Sequence, residues 1–234
     1  YRRQRQMCIR DRRNNPAGQA NQTTGGCCSR RRFLGGGLAA GVLLTLSVPA
    51  DSASIGETMG EVLVNGVRAM RDTVIRVGDR IETAAGASIV FRIGNDAFLV
   101  REMSTVMLEA PAGAKALLSG LRLVTGAVLA VFGPGMRSVM TGLVTAAIRG
   151  TGIYMEATPA RTYFCTCYGH VGLTAADGTA RDVKTANHVA HYIQAKTDAA
   201  AAIVAAPMMN HDNRELAMLE KMAGRAPRLR MDRN

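Results

Sequence analysis

Two cysteines one residue apart, in the stretch RTYFCTCYGHVGL from Arg161 to Leu173, are the residues of this 234-residue chain whose types and spacing most suggest chemistry. In a β-strand side chains alternate faces, so Cys165 and Cys167 point the same way, roughly 7 Å apart along the strand. A thiolate pair joined by imidazoles is the ligand set of copper(I) or zinc. All four histidines, His170, His188, His191 and His211, follow Cys165. If VKTANHVAHYI folds back on the cysteine strand through a turn at Asp177-Gly178, His188 or His191 comes within reach of the thiols. The candidate metal set is therefore Cys165, Cys167, His170, His188 and His191.

Three features oppose it. Structural zinc sites prefer gaps of two to four residues between cysteines, and here the gap is one. His170 has the wrong strand parity unless Gly169 bulges the strand. His188 and His191, three apart, fall on opposite faces of a strand. A Cys165–Cys167 disulfide would require the strand to buckle, because i,i+2 Cα atoms lie near the upper limit for bridging. Two buried thiols packed beside Tyr163 suit the burial habit of cysteine. Structural cysteines, packed or disulfide-linked, are thus preferred, and no cofactor is expected, with copper or zinc as the alternative.

The compartment bears on that choice, and the front of the chain bears on the compartment. The formal net charge is +11, but residues 1–32 hold nine arginines and one acid, residues 33–50 no charge, and residues 51–234 a net of only +3. Without a basic, aromatic-interleaved stripe in the body, a nucleic-acid partner is not expected. Ser29-Arg30-Arg31-Arg32-Phe33-Leu34 closely resembles the twin-arginine export motif. The apolar run Phe33–Ala50 contains four glycines and is short for a stable span, while Val48-Pro49-Ala50 offers small residues for cleavage. Residues 1–28 read as a non-native or disordered leader whose first dozen residues resemble translated sequencing-adapter text. Residues 29–53 read as a cleaved signal, 54–195 as a β domain and 196–234 as a helical tail. The expected location is the periplasm, with membrane attachment only through an uncleaved leader. Cys165 and Cys167 then face an oxidising compartment.

The body reads as all-β. Short runs such as EVLVNGVRA, VIRVGDRIETAA, ASIVFRIGNDAFLVRE and STVMLEA are punctuated by Asn65-Gly66, Gly78-Asp79, Gly86 and Gly94-Asn95-Asp96. Longer runs follow: GLRLVTGAVLAVFG, LVTAAIRGTGIYMEA, RTYFCTCYGHVGLTAA and ARDVKTANHVAHYIQ. The pattern predicts one compact β domain, a sandwich, roll or short solenoid, followed by a short C-terminal helical tail. In that tail TDAAAAIVAAP is alanine-rich enough for a short helix. NHDNRELAMLEKMAGRAP predicts an amphipathic one, with Asn210 or Asp212 as cap, Leu216, Leu219 and Met222 on one face and Gly224 as stop.

The succession GEVLVNG, VGDRIETAAGASIVFRIGNDAFLV, LRLVTGAVLAVFG and AIRGTGIYMEA resembles the FecR domain. Gly78, Asp79, Ile81 and Thr83 match its GD-x-I-x-T signature, and Arg149, Gly150 and Thr151 its RGT, over about Gly60 to Leu173. The glycines read as turn formers, Asp79 as a turn cap, and Arg149 as a tie to a buried carbonyl or carboxylate. The resemblance implies a periplasmic binding or sensing module with a role in iron-related envelope signalling and a protein or envelope ligand as partner. The best-known members are membrane-anchored regulators of sigma factors, an alternative reading from which this front end departs. No nucleophile–base pair, H-E-x-x-H or phosphate loop occurs, so a non-enzymatic module is expected. The other alternative is a periplasmic metal or redox protein built on Cys165 and Cys167.

Overall fold

Turn chemistry sets the local order of this computed structural model, which describes residues 52–111, 118–195, 197 and 201–229. Asn65 and Gly66 take φ of 52° and 78°, the paired positive values a two-residue hairpin needs, and join β2 (Val62–Val64) to β3 (Val67–Arg68). Gly78, at φ 97°, breaks the run VIRVGDRIETAA into β4 (Ile75–Arg76) and β5 (Arg80–Thr83). Asp79 closes that turn by accepting the Arg76 amide at 2.6 Å and accepts from Asn65 Nδ2 at 2.8 Å, stitching the two turns together. Ile81 is fully buried, and Thr83 donates to the Arg101 carbonyl. The first signature is therefore architecture.

The other strands are β1 (Ser52–Met59), β6 (Ser88–Ile93), β7 (Asp96–Val100), β8 (Thr105–Glu109), β9 (Gly120–Val131), β10 (Met136–Met140), β11 (Val144–Ala157), β12 (Arg161–Ala175), β13 (Ala180–Thr185), β14 (Val189–Gln194) and β15 (Ile203–Ala206). All join one open sheet running β15-β14-β12-β11-β10-β9-β7-β6-β1-β4, with β13 on β12 and the β2, β3, β5, β8 group joined through β9. Contacts divide the chain into two units, Tyr1–Thr45, outside the described residues, and Leu46–Asn234, to which all these elements belong.

The long strands β9, β11 and β12 each change face midway, and a glycine marks each change. Along β9, Leu121 and Leu123 point into the main core, but so do Val128 and Ala130, so the parity flips at Gly126, φ 87°. In β11 the flip falls at Gly150, φ 59°, and opposite it in β12 at Gly169, φ 99°; the β11–β12 register shifts there. These are β-bulges, and they bend the sheet around its core. That explains the second signature: Gly150 and Thr151 form the bulge, and Thr151 donates to the His170 carbonyl at 3.2 Å. Arg149 departs from expectation. It is exposed, and the tie expected of it is not made among the described residues.

Inside the bend Phe98 stacks on Phe91 at 5.0 Å and meets Phe132 edge-on at 5.6 Å. The outer face of β7, β9, β11, β12 and β14 carries a second apolar cluster that includes Leu99, Leu129, Val131, Tyr154, Tyr163, Cys165 and Cys167. The C-terminal segment covers it. Helix α1 (Asn213–Met222) lays Leu216 and Leu219 on that face, with Ala223 and Leu229 beyond it.

The helix is specified locally. Asp212 caps it by accepting the Arg214 and Glu215 amides at 2.8 and 2.9 Å, Glu215 returns to the Asp212 amide, and Gly224 at φ 75° follows its end. Asp212→Ala should cost about 1 kcal/mol of stability in urea titration; an unchanged midpoint would mean that docking alone holds the helix.

The alanine-rich segment does not form the expected helix: Ile203–Ala206 is β15, paired with β14. Its Ile-Val pair suits a strand, and the free edge of β14 supplies the partner that local propensity could not foresee. Ser52 and Ala53, read with the signal, pair with Arg76 and Ile75. Residues 1–28 and the Phe33–Ala50 run lie outside the described residues. Among the described ones no helix is long and apolar enough to cross a membrane.

Candidate metal centre

Four side chains from three separate places meet on the outer face. Cys165 and Cys167 come from β12, ahead of its bulge, where regular alternation aims both sulfurs outward; both are free thiols with no exposed surface. His188 comes from a break in the run ARDVKTANHVAHYIQ, which reads as one strand in sequence but is β13 and β14 in the structure, pairing with the two halves of β12. In that break the His188 amide donates to the Cys167 carbonyl at 3.0 Å, which sets its ring beside the thiols. His211 comes from the loop between β15 and α1.

The ligand atoms of Cys165, Cys167, His188 and His211 all lie within 4.8 Å of one another. Cys165 Sγ is 3.7 Å from His188 Nδ1, Cys167 Sγ 3.4 Å from His211 Nε2, and the two nitrogens are 3.2 Å apart. Zinc bonds of about 2.3 Å to sulfur and about 2.0 Å to nitrogen, at tetrahedral angles, give edges of about 3.6 Å for S–N and about 3.3 Å for N–N. The three edges match, and the longest separations need to contract by about 1 Å to accept such an ion.

The outward ring nitrogens fix which lone pairs point inward. His211 Nδ1 donates to the Met209 carbonyl at 2.8 Å, and His188 Nε2 donates to Asn213 Oδ1 at 2.8 Å. A carbonyl oxygen only accepts, so in the neutral rings His211 Nε2 and His188 Nδ1 both present bare lone pairs to the same point. Those two nitrogens, 3.2 Å apart, can share one proton or hold one metal ion between them. Outward N–H groups held by backbone or amide oxygens are also how metal-ligating histidines are oriented.

The thiols are already biased. Cys165 is pulled down to about 4, chiefly by the hydrogen bond from Cys167, against burial and with help from His188 and His211. Burial first, and then the neighbouring Cys165 thiolate, push Cys167 well above the usual thiol range. Burial works to lower His188, but the Cys165 sulfur and the Asn213 amide outweigh it and raise it. These shifts favour one thiolate and one thiol in the cluster, with Cys165 beside a histidine biased towards its charged form.

Other side chains hold the donors in place. Tyr163, two residues before Cys165, donates to the Pro207 carbonyl at 3.0 Å and accepts from the Met209 amide at 3.1 Å. Asn210 takes φ of 60°, and its amide donates to Glu156 at 2.6 Å. The His211 ring then stacks on Tyr154, centroids 4.6 Å apart.

Of the five candidates the structure brings together Cys165, Cys167 and His188, and leaves out His170 and His191. Gly169 does bulge β12, yet His170 lands on the exposed stretch beyond the bulge, where Nε2 meets Asp182 Oδ1 at 2.6 Å. His191 registers with Phe164, so it faces the main core, opposite the thiols, and its buried Nδ1 has no hydrogen-bond partner. His211 takes the fourth place. The available signal was only that it belongs to the same late group of histidines; its position beside the α1 cap said nothing of the thiols.

His191 gives a pH prediction of its own. Burial, and then the Arg181 charge, lower its pKa in the folded chain. Below about pH 6.5 the unfolded chain therefore takes up a proton that the folded one resists, and stability falls as pH falls. Between pH 7.5 and 5.5 the urea midpoint should drop more for the natural chain than for His191→Leu. Equal drops would show that His191 charges freely inside the fold.

No protein-family model matches this chain, and no curated protein matches it. Among solved structures it is similar to a “putative anti-sigma factor” from Parabacteroides distasonis, at 7% identity and a TM-score of 0.44. The match covers 54% of this chain and 58% of that one, so the chain spans less than two thirds of that neighbour's length. At that identity and score the likeness decides nothing about what the chain does.

Proposed function

We propose that this chain is an exported, FecR-like, non-enzymatic β domain that binds one transition-metal ion through Cys165, Cys167, His188 and His211. Zinc fits best, because two thiolates and two imidazoles in tetrahedral array are its usual structural set; copper(I) is the soft-ligand alternative. The observation that carries the proposal is the convergence of two sulfurs and two ring nitrogens, all within 4.8 Å of one another, with S–N and N–N separations of 3.7, 3.4 and 3.2 Å. Four protein donors leave no open position for a substrate or an activated water, which supports binding or sensing over catalysis. Export through a twin-arginine route, which carries folded chains, would allow the ion to be loaded before transport. The FecR-like strand and turn motifs support a partner-facing module in the envelope.

Cobalt(II) titration of the purified full chain tests the site. One equivalent should give the intense near-ultraviolet bands of thiolate-to-metal charge transfer and the visible bands of tetrahedral cobalt, both displaced by zinc. A chain that takes up no cobalt or zinc has no such centre. Cell fractionation tests the export reading, which fails if the chain remains in the cytosol with residues 29–53 attached.

A further inference from the structure

The donors are divided between two parts of the fold. Cys165 and Cys167 belong to the sheet and His188 to the β13–β14 break that is hydrogen-bonded to it, whereas His211 belongs to the segment that crosses its outer face. A metal ion at that point would tie chain positions 188 and 211 together, as a cross-link does. The segment has need of such a tie. Helix α1 is ten residues long, shorter than the roughly 12–15 an isolated helix requires, so its order depends on docking. Leu216 and Leu219 supply its fully buried apolar contacts, and the Arg101–Glu215 pair at its first turn is partly exposed. A stronger set lies at its far end, where Glu220 accepts from the Tyr168 hydroxyl and from Arg225 Nε. The His211 end is held by the Tyr154 stack, the Tyr163 grip and the metal donors.

We infer that the metal ion is a fastener: binding at Cys165, Cys167, His188 and His211 locks the segment from Pro207 through α1 onto the sheet, and metal loss frees it and bares Leu99, Leu129 and Val131. This rests on the metal site proposed above and assigns it a regulatory consequence, in which metal supply becomes a change of surface. The covered residues alternate along β7 and β9 with the main core, so the inner face can keep its packing when the outer face is uncovered.

Hydrogen exchange of the full chain, stripped with chelator and then given zinc at about a hundredfold excess over its Kd, tests this. In the stripped chain the α1 amides should exchange while the β9 amides, the internal reference for folding, stay protected, and zinc should then slow the α1 amides by up to about a hundredfold. In His211→Ala, which keeps the other three donors, zinc should no longer protect α1; His211→Gln, with a polar side chain of similar reach, repeats the test against a folding defect. Zinc bound with α1 exchange unchanged overturns the fastener and leaves the metal site standing. Protection of α1 by zinc in the two His211 variants also overturns it. No zinc bound overturns both.

Discussion

Cys167→Ser in the full chain is expected to weaken zinc binding by more than a hundredfold, read by competition with a chromophoric chelator. Loss of a group that only orients a metal ligand costs about 10–100-fold, and loss of a ligand must cost more. Serine keeps the shape of the side chain but replaces a soft, ionisable thiol by a hydroxyl that stays protonated. The same exchange at Cys165 removes the thiol whose ionisation is the easier of the two and should cost as much. His170→Ala and His191→Leu provide the contrast. Neither ring faces the cluster, one being tied to Asp182 at the surface and the other aimed into the main core, so affinity should stay within about twofold, far below the cost of even an orienting group. Equal loss in all four variants would mean that zinc affinity follows general stability and not these donors.

Gly169→Val should be the most damaging single exchange in the strand that carries the thiols. Gly169 sits at φ 99°, where a β-branched residue is strained by about 1–3 kcal/mol. A Cβ there would also lie 2.9 Å from Thr151 Oγ1 and 3.1 Å from the Gly150 carbonyl and the Thr151 Cα, adding an overpacking cost of about 1–3 kcal/mol. For a body of this size the sum lowers Tm by about 10 °C. Two glycines of the same hairpin separate the causes. Gly178, at φ 84° with open space around it, should show strain alone when made alanine, and Gly172, with open space and an ordinary φ, should accept valine with little loss. If Gly169→Val melts with Gly172→Val, the bulge is not what holds β12 in its bent course. Gly169 lies two residues past Cys167, so the variant should also weaken zinc binding, because the bulge fixes where the outward-facing half of β12 ends.

What could be read along the chain was whatever short-range chemistry decides. Asn65-Gly66, Gly78-Asp79 and Asp177-Gly178 announce their turns because only a few residue types take those backbone angles or close them with a side chain. The Asp212–Glu215 box announces α1 because its donors and acceptors lie within one turn of the chain. Strand parity alone placed both sulfurs on one face. The metal set was legible to that extent and no further.

Tertiary structure decided the rest. Whether Ile203–Ala206 became helix or strand depended on the unpaired edge of β14, which no local pattern encodes. The break that delivers His188 depended on β13 and β14 both pairing with β12, one on each side of its bulge. His211 reached the thiols only because a chain segment 44 residues beyond Cys167 folds back across the outer face, carried there by the burial of Leu216 and Leu219. Sequence by itself settled the hairpins, the cap and the direction of two thiols, since those follow from backbone angles and alternation. It could not assemble the four donors, because burial and strand pairing act between residues far apart in the chain and have no local signature.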